Sequence, residues 1–85
     1  MNHREEIRST EVQDAATESA VLQQVLALHP TVVTLAELIR EIGEGDGDAV
    51  ERAVRDLAGA GLLHRSESFV LPTRAALRFD ELLGG

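Results

Sequence analysis

The chain contains no cysteine, no tryptophan and no tyrosine, and its two phenylalanines, Phe69 and Phe79, make aromatics 2% of the residues. Without cysteine there is no disulfide, no zinc-thiolate site and no thiol nucleophile. Two aromatic rings are too few for the stacking platforms on an exposed sheet by which proteins bind single-stranded nucleic acid or RNA, so a binder of that class is not expected. Lysine is also absent, so every basic residue is arginine. The guanidinium fork suits carboxylate and phosphate pairing, although arginine in place of lysine also follows from a GC-rich coding bias. No apolar run approaches the roughly 18 residues of a membrane span, and no basic segment followed by an apolar stretch resembles a secretory leader. The expectation is a cytoplasmic protein without a membrane partner.

What is there is a chain of 85 residues, 44% hydrophobic and 27% charged. That composition is globular, and the length fits one small domain near the lower limit of independent stability. A core of this size leaves little room for a deep substrate pocket. Acids outnumber bases 15 to 8, giving a formal charge of −7. The excess is lopsided: residues 1–49 hold ten acids and three arginines, and residues 50–85 hold five of each. A net charge of this sign opposes non-specific phosphate binding, but it does not forbid a local basic strip.

Along the chain, residues 1–16 are polar and contain neither glycine nor proline. They read as a partly disordered arm or as an extension of the first helix, with Thr10 and Gln13 at capping-box spacing. Residues 17–83 form the expected domain. Val21, Leu22, Val25, Leu26 and Leu28 recur at helical spacing, and His29-Pro30 stops the run, which predicts a helix over about 18–29. Thr31-Val32-Val33 is a strand stub. Thr34 and Glu37 form a capping box ahead of Leu35, Leu38, Ile39 and Ile42, and Gly43 is the stop, so a second helix covers about 35–42. After the acidic glycine-rich turn 44–48, Val50, Ala53, Val54 and Leu57 line one face of a third helix over about 47–60. Asp46 or Asp48 is its cap, and Gly61 its end. Residues 62–65 and 69–71 read as a β-hairpin around Ser66-Glu67-Ser68. Thr73 then caps a last helix.

The order helix, strand stub, helix, turn, helix, hairpin, helix resembles the winged helix-turn-helix superfamily. The resemblance covers residues 18–83. It rests most on the third helix running into the hairpin, AVERAVRDLAGAGLL, and on the return strand FVLPTRAAL leading into the last helix. It implies a mainly α fold with a small β-hairpin: a three-helix core, a two-stranded wing and a C-terminal helix. It further implies a bacterial transcription regulator that inserts the third helix in the major groove of duplex DNA and lays the wing on the backbone. On that reading Arg52 and Arg55 of the third helix meet DNA, with His64 and Arg65 in the wing. Against it stand Asp46, Asp48 and Glu51 at the helix start, where a helix-turn-helix approaches the bases. Those acids also complement the helix dipole. Pairs Glu51–Arg55 and Arg52–Asp56 at i, i+4 would equally make this an ordinary solvated face.

The last helix is apolar on more than one side. Leu77, Phe79, Leu82 and Leu83 exceed what a three-helix core can bury, which suggests a homodimer surface, with Val21 or Leu28 of the first helix contributing. The rival function is an acidic winged-helix module, or DNA mimic, that docks a basic protein partner through the N-terminal half. No enzyme is expected: His3, His29 and His64 have no ligand spacing and no triad partner. No metal or other cofactor is expected either. An EF-hand loop opening at Glu44 would require glycine and glutamate where Ala49 and Arg55 stand.

Overall fold

The computed structural model describes the backbone of residues 3–84 and the side chains of residues 12–84. Four helices carry a small three-stranded antiparallel sheet, in the order α1 (His3–Leu28), β1 (Val33–Thr34), α2 (Leu35–Ile42), α3 (Gly47–Gly59), β2 (Leu63–Ser66), β3 (Phe69–Pro72) and α4 (Arg74–Leu82).

The first helix is longer than the apolar repeat alone predicts. Its backbone is helical from His3, because nothing in the polar stretch before Thr17 breaks a helix. Thr10 therefore lies inside α1 rather than at its start, and its side chain is outside the described residues, as is that of His3. The helix ends at Leu28, just before a cis His29–Pro30 bond. α2 covers Leu35–Ile42, the span its cap and apolar repeat predict. The Thr34 hydroxyl accepts from the Glu37 N–H at 3.1 Å. The box is closed by that same hydroxyl donating to the Glu37 carboxylate at 3.2 Å, not by the carboxylate reaching back to the backbone.

Gly43 does stop α2, though not through a left-handed conformation: its φ is −65°. The left-handed residues are the next two, Glu44 at 47° and Gly45 at 91°. Glycine is needed at 43 because a Cβ there would lie 2.5 Å from the Ile39 carbonyl oxygen. Asp46 caps α3 by accepting from the Ala49 N–H at 3.1 Å, so the cap is Asp46 and not Asp48. The far end of α3 is a Schellman turn. Gly61 sits at φ +83°, its N–H donates to Ala58 O, and the Leu62 N–H donates to Leu57 O.

The expected two-stranded hairpin has a third strand. Val33 pairs with Val70 and Thr34 with Phe69, which gives the sheet order β1-β3-β2. The stub finds its place because Val33 and Val70 are both buried in the common core. That core is rich in valine: Val21, Val25, Val33, Val50, Val54 and Val70 join Leu38 as the largest fully buried side chains. α3 lies at its centre, packed on α1, α2 and β2. Val21 is thus a core residue and not part of any partner surface, since α1 turns its i, i+4 pair Val21 and Val25 inward.

Candidate functional site

The apolar face of α3 is fully used. Val50, Ala53, Val54 and Leu57 are all buried. Helical periodicity then turns Arg52, Arg55 and Gly59 to the opposite side, and all three are exposed. Glu51 and Asp56 flank them, and Asp48 precedes them by one turn; these too are exposed. Neither i, i+4 pair of α3 forms an ion pair: among the described residues the one salt bridge is Arg78–Glu81 in α4. The guanidinium groups of Arg52 and Arg55 are held by no carboxylate on their own helix.

The two arginines have different surroundings. Arg52 borders a cleft of about 330 Å³ between α1 and the start of α3. Asp14, Glu44 and Asp46 line the same cleft. Arg55 lies one turn further on, outside it. A polyanion approaching the start of α3 meets three carboxylates around one guanidinium. Beside Arg55 the exposed carboxylates are those of Glu51 and Asp56.

The two hairpin residues do not act together. Side chains alternate across a strand, so His64 and Arg65 point to opposite faces of the sheet. Arg65 shares a face with buried Leu63 and stands opposite buried Val70. His64 stands opposite Leu71 on the outer face. Arg65 is exposed because it lies beyond the core at the hairpin's end. There its Nη2 donates to the Glu67 carbonyl at 3.4 Å, curling the guanidinium over the turn. The turn has two residues, Glu67 and Ser68, and Glu67 takes the left-handed position at φ 56°. A hairpin this short carries an acid at its tip where a backbone clamp would carry a base.

Comparison with protein-family models, with curated proteins and with solved structures finds no match for this chain. Its function is therefore argued from its own residues.

Thr73 is a residue whose importance its spacing conveys only in part. The capping position is plain in the sequence, and its hydroxyl accepts from the Ala76 N–H at 3.2 Å. The same hydroxyl faces Gly61 O at 2.7 Å and Leu62 O at 3.2 Å, and the Thr73 N–H donates to Leu62 O at 3.1 Å. Thr73 thereby ties the exit of the hairpin to the corner where α3 enters it. Among the described residues no group of three or more His, Asp or Glu is placed to hold a metal ion. No described helix is long and apolar enough to cross a membrane.

Of the four apolar residues expected to face a partner, three are exposed: Phe79 at 59%, Leu82 at 67% and Leu83 at 72%. Leu77 is half-buried and lies on another side of α4, so it does not belong with them.

Proposed function

We propose that the chain is a winged-helix domain that binds duplex DNA as a transcription regulator. α3 would enter the major groove through Arg52 and Arg55, and the β2–β3 hairpin would rest on the backbone. The observation that carries the reading is the disposition of α3. It is buried along one side by α1 and α2, its two arginines are exposed on the other, and the hairpin follows directly from its Schellman turn. The element order and the sheet order β1-β3-β2 support the same fold family. The wing would offer one side chain per face, Arg65 or His64, because the strand separates them.

Replacing Arg55 by alanine is expected to weaken binding to a cognate duplex by about 1–3 kcal/mol if the contact is to a base edge, or to reduce the salt slope by about one if it is to phosphate. Arg52→Ala should weaken it less, since Asp14, Glu44 and Asp46 already oppose phosphate at that end. The site assignment fails if both variants bind as tightly as the wild type.

The same carboxylates, with Glu67 at the hairpin tip, favour a second reading: a winged-helix module that docks a basic protein and has no DNA affinity of its own. Titration of the labelled protein with mixed-sequence duplex DNA, followed by NMR at low and moderate salt, separates the two. DNA binding predicts shifts confined to residues 47–56 and 64–68 that fade as salt rises, because counterion release drives the association. A spectrum unmoved at low salt excludes non-specific DNA binding and leaves the protein partner.

A further inference from the structure

α4 buries little of its apolar surface. Ala76 is buried and Leu77 half-buried. Ala75, Phe79 and Leu82 follow at i, i+4 and i+7, the spacing of a two-helix seam, and Leu83 adjoins them at the cap. All four are exposed. Scattered apolar residues on a surface are ordinary, whereas a continuous stripe on one side of a helix calls for an occupant.

The charges beside the stripe indicate which occupant. Arg78 and Glu81 lie on one flank, joined by an ion pair at 3.3 Å, with side chains 69% and 67% exposed. Their midpoint along the helix falls within the Phe79–Leu82 segment of the stripe. An antiparallel copy of α4, related by a two-fold axis through that midpoint, presents the same flank in reverse order. Each arginine then faces a glutamate, and each end of the stripe meets the other end. The face is complementary to itself, which is what an isologous contact requires. A parallel copy would set Arg78 against the opposite flank instead, where Leu83 stands.

We propose that two copies of this chain associate through α4, antiparallel, burying Ala75, Phe79, Leu82 and Leu83 and placing Arg78 of each copy beside Glu81 of the other. A nine-residue helix covers less than the roughly 800 Å² per partner of a standard interface, so the association is reversible and concentration-dependent. It does not depend on the DNA-binding reading, because α4 is separate from the outer face of α3.

Sedimentation equilibrium of the full chain over about 10 µM to about 1 mM tests it. The weight-average mass of the wild type should rise from one chain toward two and stop there. Leu82→Glu should remain a single chain throughout. Arg78→Glu and Glu81→Arg each place like charges in the seam and should raise the dissociation constant by about tenfold or more. A one-to-one mixture of those two variants should recover the wild-type association, since each then meets its opposite in the other. The three positions are exposed, and circular dichroism of each variant should match the wild type. A wild type that stays a single chain at the highest concentration overturns the proposal. So does a mass that climbs past two, or a mixture that associates no better than its separate components.

Discussion

Thr73 shows how one side chain can carry two duties. It caps α4 through the Ala76 N–H, and it closes the hairpin onto the α3 corner through the carbonyls of Gly61 and Leu62. Loss of a cap alone costs about 0.5–2 kcal/mol. Thr73→Ala also takes the hydroxyl donor from the Gly61 carbonyl at 2.7 Å, the shorter of its two contacts with that corner, so the upper part of that range is expected, about 2 kcal/mol. Thr73→Ser keeps the oxygen and should lose less than half as much. Urea denaturation followed by circular dichroism measures both, and equal losses for the two variants would place the effect in the methyl group instead. Thr34 is simpler. Its hydroxyl serves α2 alone, within a box formed by residues three apart.

At the scale of elements, the corner between α3 and β2 decides the geometry of the candidate site. The Schellman turn aims the chain out of α3 and into the hairpin, and it depends on Gly61 at φ +83°. No atom lies within 4 Å of a Cβ built there, so substitution creates no clash. The expected cost of Gly61→Ala is that of the left-handed backbone alone, about 1–2 kcal/mol. Gly61→Asn should cost less, because asparagine tolerates that region. Thermal unfolding of the pair checks this, and an alanine variant as stable as the wild type would show that the corner relaxes. The hairpin illustrates a second rule of elements. His64 and Arg65 are neighbours in sequence, but a strand's period of two sends them to opposite faces. A basic pair in sequence is therefore not a basic patch here. α3 shows the converse, since Arg52 and Arg55, three apart, do share a face.

For the whole molecule, charge is the governing fact. Fifteen acids against eight arginines give −7, and among the described residues a single ion pair, Arg78–Glu81, is formed. Carboxylates in excess repel one another, and salt screens that repulsion within about 10 Å at 0.1 M. Raising sodium chloride from about 10 mM to about 0.5 M is therefore expected to stabilise the fold by roughly 1 kcal/mol, a rise of about 4–8 °C in Tm for a domain of this size. Differential scanning calorimetry would register it, and a Tm that falls with salt would mean that attractive pairs outweigh the repulsion. Any affinity for DNA must move the other way with salt. A protein that gains stability and loses DNA together would carry both signatures of its charge distribution.

The sequence by itself determined the elements and their order, because the signals involved are local. The Thr34–Glu37 box, the apolar repeat of α3, the glycine at 61 and the cap at Thr73 each act over one turn of chain. It also marked the surplus of apolar residues on the last helix, since Phe79, Leu82 and Leu83 follow an apolar face that a small core cannot absorb. Only the tertiary structure decided what depends on long-range placement. Val33 became a third strand because Val70 lay beside it in the core, and Val21 was withdrawn from the surface by the same packing. Leu77 parted from its three neighbours because α4 docks through Ala76. The carboxylates around Arg52 come from α1 and from the turn before α3, segments far apart in the chain whose meeting no local pattern encodes. Spacing along one element is set by backbone geometry, whereas the potential at a site is summed over every charge that folding brings near it.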